Sequence, residues 1–276
     1  MRLVLLTLLT MCAFAANSVL TRAAVDGGHL NAGAFAIVRV AAGAVMLGGI
    51  AVWRKNAMPL WRRARIPGAL SLTLYMVGFS LAYLTLDAGS GALILFGVTQ
   101  IALFGHAAVT GQGPTLRQIG GAAVAFAGLV VVLWPGEQSA TDPVGAALMV
   151  LAGIGWAAYT IAGRGAADPL AATGANFILC LPGLIALLIG GGMSGDAYGI
   201  FLAVICGAVT SGLGYALWYA VLRQMHGVTA AVVQLCVPVI AIGAGALLLG
   251  EAVTPALLLA AVFVLGGIGW AVTARR

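Results

Sequence analysis

Of the 276 residues, 62% are hydrophobic and 7% charged, and the mean hydropathy is +1.11. A soluble globular chain carries about 25% charged residues, so the polar surface that would coat a water-soluble domain is missing. Thirteen Lys and Arg against seven Asp and Glu leave a net charge of +6. These basic residues punctuate apolar runs instead of forming a patch, which speaks for a membrane surface and against nucleic acid.

Apolar runs near the ~20 residues of a bilayer crossing predict ten helical spans, at 3–24, 31–53, 67–86, 89–110, 117–134, 143–163, 170–190, 198–222, 228–249 and 254–273. The first begins like a signal peptide, with Arg2 and an Ala13-Phe14-Ala15 site, but its apolar stretch continues to Val25 and predicts a retained span. It offers Asn17, Ser18 and Thr21. The second holds Arg39, the one charge well inside a span, about 12 Å along the helix from its nearer end. A link from Arg39 to Asp26 or to backbone carbonyls is expected ahead of contact with a substrate carboxylate. The third carries Tyr75, Phe79 and Tyr83 at i, i+4 and i+8; the fourth carries Thr99, Gln100 and His106. Spans five and ten are almost free of polar residues and are expected at the periphery. The sixth offers Trp156, Tyr159 and Thr160, the eighth Tyr215, Trp218 and Tyr219. In the ninth, Gln234 precedes Pro238, which removes a ladder hydrogen bond and with Gly243 and Gly245 predicts a hinge.

Placing the N-terminus in the cytoplasm puts Arg2, Arg54, Lys55, Arg62, Arg63, Arg65, Arg117, Arg164, Arg223, Arg275 and Arg276 inside. It puts Asp26, Asp87, Glu137, Asp142, Asp196 and Glu251 outside. Positive residues on the cytoplasmic side fix the orientation, with both termini inside. Arg22–Asp26 and Arg164–Asp168 read as i, i+4 pairs at helix ends. Trp53, Trp61, Trp134, Tyr198 and Trp270 read as interface anchors, and Cys12, Cys180, Cys206 and Cys236 as small core hydrophobes.

The chain also repeats itself. Phe14-Ala15-Ala16-Asn17-Ser18…Arg22…Asp26…Phe35 overlies Trp156-Ala157-Ala158-Tyr159-Thr160…Arg164…Asp168…Phe177 at an offset of 142. Gly111-Gln112…Thr115…Gly128 overlies Gly250-Glu251…Thr254…Gly267 at an offset of 139. Residues 1–138 and 139–276 are therefore read as two five-helix repeats. Five being odd, the copies lie inverted in the membrane, an arrangement that favours alternating access around a midplane site. The expected fold is all-α, with ten transmembrane helices.

Two such repeats, each with a Gly-Glu or Gly-Gln turn after its fourth helix, resemble the drug/metabolite transporter superfamily, EamA type. The second copy carries the fuller match, Pro238…Leu249-Gly250-Glu251…Thr254; the first has Thr99 in place of Pro238 and Gln112 in place of Glu251. Within the superfamily the chain is most similar to the aromatic amino-acid exporters of bacterial inner membranes. That resemblance implies secondary export of aromatic and other neutral amino acids, with no cofactor. The expected partners are the small-molecule substrate and the lipid bilayer, with no obligate protein partner evident. A multidrug or other small-metabolite exporter remains the alternative, and a channel or scramblase the alternative of another class.

The candidate substrate-binding residues are Asn17, Tyr75, Phe79, Tyr83, Thr99, Gln100, Trp156, Tyr159, Tyr215, Trp218 and Gln234, with Pro238 as hinge. Amides can donate and accept at once, which suits a zwitterion, and deep aromatic walls suit flat apolar side chains. Spans one, three, four, six, eight and nine are expected to line the cavity. No catalytic or metal-binding constellation is read: His29, His106 and His226 are scattered, and neither a phosphate-binding Gly-x-x-x-x-Gly-Lys-Ser/Thr loop nor His-Glu-x-x-His occurs. No acid lies deep in a span, leaving His106 as the sole titrating candidate for ion coupling, so facilitated movement is expected.

Overall fold

The computed structural model describes residues 2–55, 58, 60, 62–110, 115–133, 141–163, 168–188, 192–222, 224 and 233–272. Among them no strand occurs, and the helices follow the apolar runs. They are α1 (Arg2–Val25), α2 (Ala32–Trp53), α3 (Ile66–Ala82), α4 (Ala88–Val109), α5 (Leu116–Leu133), α6 (Pro143–Gly163), α7 (Pro169–Ile185), α8 (Ala197–Ile205), α9 (Gly214–Leu222), α10 (Cys236–Ala244) and α11 (Pro255–Val272). Five helical stretches are long and apolar enough to cross a membrane: Arg2–Val25, Ala32–Trp53, Ala88–Val109, Pro143–Gly163 and Ala197–Trp218. Five shorter apolar helices accompany them. Large apolar side chains such as Val45, Val52, Leu116 and Leu247 are exposed on the outer surface, where lipid tails would cover them.

Polar residues that interrupt the hydropathy pattern serve as helix caps. Asn31 accepts from the Ala34 amide at 2.7 Å, Asp142 from Gly145 at 2.6 Å, Asp168 from Ala171 at 3.1 Å and Asp196 from Gly199 at 2.8 Å. Each satisfies an amide that has no partner within its own helix. Thr115 and Gln118 bond each other's amides reciprocally at the start of α5. Asp142 also accepts from Thr85 at 3.0 Å, and these donors hold its carboxyl below the usual range. Asp168 thus acts as an N-cap of α7; its expected mate Arg164 lies outside the described residues.

Three spans depart from their predicted form. The third ends as a helix at Ala82 and turns through Tyr83–Leu86. The eighth runs from α8 to α9 through a π-helical segment, Cys206–Leu213. In the ninth, residues 228–232 lie outside the described residues, the helix breaks at Leu235, and α10 passes into a second π segment, Gly245–Leu249. Pro238 therefore stands in the first turn of α10, where a missing amide hydrogen is tolerated, rather than in the middle of a continuous helix.

The principal helix pairs are α5 with α11, α3 with α6, α2 with α7 and with the Cys206–Leu213 segment, α4 with α6 and with α10, and α1 with α9 and α10. Besides each other, α5 and α11 chiefly touch α4, so they lie at the edge of the bundle as their composition predicts. The main core runs through the bundle from α1, α2, α3, α4, α6, α7 and α9 to α10 and on to the inner faces of α5 and α11.

Candidate functional site

Aromatic rings from five helices meet in that core. Trp156 is their hub, with ring centroids 5.9 Å from Phe14, 5.1 Å from Tyr75, 5.6 Å from Tyr159 and 5.0 Å from Tyr215. Phe79 packs on Tyr75 and Tyr83 on Phe79; Trp218 packs on Phe14, and Phe177 of α7 on Tyr215. All are buried. Phe14, Asn17, Tyr75, Phe79, Trp156 and Tyr215 face a cavity with room for about one water molecule. The rings fill the chamber themselves, so this is a closed arrangement in which any larger guest requires them to part.

Arg39 reaches from α2 to Tyr75 and Phe79 at the chamber wall and is completely buried, without itself lining the cavity. Its Nε donates to Ser211 Oγ at 3.0 Å and its Nη2 to Tyr75 Oη at 3.2 Å. The guanidinium carbon lies 4.8 Å from the Phe79 ring centre and 5.7 Å from that of Tyr75, within cation–π range. Nη1 has no hydrogen-bond partner among the described residues, and Arg39 takes part in none of their ion pairs. The expected link to Asp26 is not formed: Asp26 pairs with Arg22 at 3.0 Å. A guanidinium buried without a counter-ion costs several kcal/mol, and rings and hydroxyls offset only part of this. The arrangement is poised to receive an oxyanion.

The π segment makes this possible. A Cβ on Gly207 would run into the Arg39 backbone carbonyl, so glycine lets the segment press against α2. Ser211 then reaches both Arg39 and Asn17. Asn17 Oδ1 accepts from Thr210 Oγ1 at 2.6 Å, Ser211 Oγ at 3.0 Å and Cys206 Sγ at 3.3 Å. With three donors on it, that oxygen has no capacity left for a guest.

Of the predicted site residues, Asn17, Tyr75, Phe79, Trp156, Tyr159, Tyr215 and Trp218 come together in or beside the chamber. Gln100 is buried, and its Nε2 has no partner among the described residues. Thr99 Oγ1 shares its proton between Leu95 O at 2.7 Å and Gly153 O at 3.1 Å; it ties α4 to α6 and is not among the residues lining the aromatic cavity. Gln234 is buried just before α10. Tyr83 belongs to one end of the bundle, its carbonyl accepting from Arg22 at 3.3 Å. The Tyr219 side chain lies outside the described residues. His106, the titrating candidate of the fourth span, is exposed, because α4 turns that face outward. Cys12 and Cys236 are likewise exposed, whereas Cys180 and Cys206 are buried as expected, Cys180 donating to Phe177 O at 3.4 Å and Cys206 joining the Asn17 cluster. Sequence reasoning missed Phe14, Thr210 and Ser211 and underweighted Arg39. Phe14 was detectable as the repeat mate of Trp156.

The end of the bundle that carries the acids is closed by a second polar group. Arg22 joins Asp26 to Asp87 at 3.3 Å and lies 3.7 Å from Glu251. Gly250 takes a left-handed φ of 69°, and this turn brings Glu251 onto the amide of Ala88 at the start of α4. The Gly-Glu motif is thus a turn followed by a helix cap.

Comparison with known proteins agrees with this architecture. Residues 143–273 match the EamA-like transporter family. The uncharacterized protein PA1977 of Pseudomonas aeruginosa is 42% identical over 273 residues, covering 97% of this chain and 93% of the relative. A crystal structure titled "Crystal structure of protein" shares the fold, with a TM-score of 0.68 at 17% identity over 96% of each chain.

Proposed function

Since the chain belongs to the EamA-like transporter family, and so to the drug/metabolite transporters of multi-pass membrane type, we propose that it exports aromatic and other neutral amino acids across a bacterial inner membrane by alternating access. In this reading ten helices form two inverted repeats, both termini are cytoplasmic, and the acidic end of the bundle faces outward. The helix pairs support it: exchanging the two sets of five spans maps α2 with α7 and α5 with α11 onto themselves, and α4 with α6 onto α10 with α1. The repeat mates Phe14 and Trp156 meet in the chamber, as expected close to an axis relating the copies.

The observation that carries the substrate class is the buried Arg39 with its unpartnered Nη1 beside a wall of aromatic rings. The guanidinium takes the carboxylate, and Trp156, Tyr75, Phe79 and Tyr215 accept the flat side chain by burial and offset stacking. The closed chamber corresponds to an empty occluded carrier. Movement is facilitated: no Asp or Glu is buried among the described residues, and His106 is exposed. A counterflow screen of the twenty amino acids in proteoliposomes tests this reading. Saturable exchange led by Phe, Tyr and Trp is expected; non-saturating flux would identify a pore, and no amino-acid exchange would remove the substrate assignment.

A further inference from the structure

The charge of the chamber narrows its cargo beyond that reading, on which the argument rests. Arg39 is the only charged residue buried among the described residues. A zwitterion brings a carboxylate that matches it and an ammonium that needs an acceptor. Asn17 Oδ1 already accepts from Thr210, Ser211 and Cys206. Tyr215 Oη, on the cavity wall and without a hydrogen-bond partner among the described residues, can accept from an ammonium but carries no charge to balance it. The rings of Phe79 and Tyr75, which could face a cation, face the guanidinium. A zwitterion would therefore leave the loaded chamber with a net positive charge in a low-dielectric interior, whereas a monocarboxylate anion would leave it neutral.

We propose that the preferred cargo of the Arg39 chamber is an aromatic monocarboxylate anion, of the 2-hydroxy- or 2-oxo-acid type, with the corresponding amino acid a weaker substrate of the same site. Export of such an anion moves one negative charge outward. An inside-negative potential of 100 mV then shifts its equilibrium distribution about 50-fold toward the outside, with no coupling ion. The zwitterion crosses without net charge and gains nothing from the potential.

L-Phenyllactate and L-phenylalanine make the comparison, since a hydroxyl in one replaces the ammonium of the other. In proteoliposomes, with protein-free vesicles as the baseline, phenyllactate should compete for counterflow at about tenfold lower concentration, the scale of one charge-assisted hydrogen bond. A potassium–valinomycin potential should redistribute phenyllactate toward the positive side and leave phenylalanine unmoved. Arg39→Gln should abolish phenyllactate exchange. Arg39→Lys, which keeps the charge but loses the planar fork, should weaken it about tenfold or more and serves if the glutamine variant fails to fold. Exchange of phenylalanine without phenyllactate would overturn the inference and leave the exporter reading intact. Exchange of phenyllactate alone would uphold the anion as preferred cargo and overturn the amino acid as a substrate in both readings; exchange of neither would overturn both.

Discussion

Phe14 and Trp156, 142 positions apart in the sequence, meet edge to face with centroids 5.9 Å apart and planes at 86°. That contact joins α1 to α6 inside the chamber, and Trp156 extends it to Tyr75, Tyr159 and Tyr215. Each aromatic pair contributes about 0.5–1.5 kcal/mol beyond area burial. Trp156→Ala should therefore reduce exchange of bulky aromatic substrates by about tenfold or more, while small substrates are less affected and the protein still inserts. Tyr75→Ala and Phe79→Ala should act in the same direction. Substrate-dependent rates in proteoliposomes, normalised to folded protein, check this; unchanged transport in all three would place the cargo elsewhere.

The Glu251 cap should govern closure of the acidic end. Glu251→Ala strips the acceptor from the Ala88 amide and loosens α4 against α1, so a cysteine introduced at the buried Leu86 should label faster with an impermeant maleimide than the native thiols account for. Glu251→Gln keeps an acceptor and should remain closed. Burial, with Asp87 nearby, raises the Glu251 carboxyl above its ordinary value, against the lowering effects of the Ala88 amide and Arg22. A raised folded-state pKa stabilises the closed end fully below the ordinary glutamate value of about 4.3, and that contribution is lost as pH rises through the raised value. Labelling at Leu86 should accordingly increase with pH over that window in the native protein and become flat in Glu251→Gln.

Close backbone approach holds α5 to α11. A Cβ on Gly121 would stand 2.5 Å from the Gly267 carbonyl oxygen and 2.7 Å from the Ala271 side chain. Small residues allow such contact between membrane helices. Gly121→Leu should lower the melting temperature in detergent, and transport per folded molecule should change little because the pair lies away from the chamber.

The broken ninth span is the expected gate. Leu235 interrupts the helix just before Pro238 stands in the first turn of α10, and the Gly245–Leu249 π segment gives a second weak point. A cysteine cross-link fastening α10 to α4 should stop exchange, and reduction should restore it. Exchange that persists through the cross-link would make the break a static feature.

The apolar helices were legible because each follows from local composition. Runs of about 20 apolar residues form helices in a bilayer, and Asn31, Asp142, Asp168 and Asp196 terminate them with their own side chains. The aromatic stripe of Tyr75, Phe79 and Tyr83 was legible for the same reason, being a 3.6-residue periodicity. The Cys206–Leu213 π segment was not, since its small apolar residues have the same hydropathy in either helix type. The role of Arg39 depends on that segment: sequence fixes the depth of Arg39 along α2, but its neighbour across the interface, Ser211, is set by how closely Gly207 lets the two elements pack. The tie from Thr99 to α6 was likewise not legible, because span depth does not reveal that Gly153 O faces it.

The most direct test of the account is trans-stimulated exchange through the chamber. Labelled L-phenylalanine should leave wild-type proteoliposomes faster, and saturably, when unlabelled L-phenylalanine is added outside, and Trp156→Ala should remove that acceleration while remaining folded. Efflux that rises linearly with concentration, ignores external substrate and survives Trp156→Ala would contradict a carrier built around these rings.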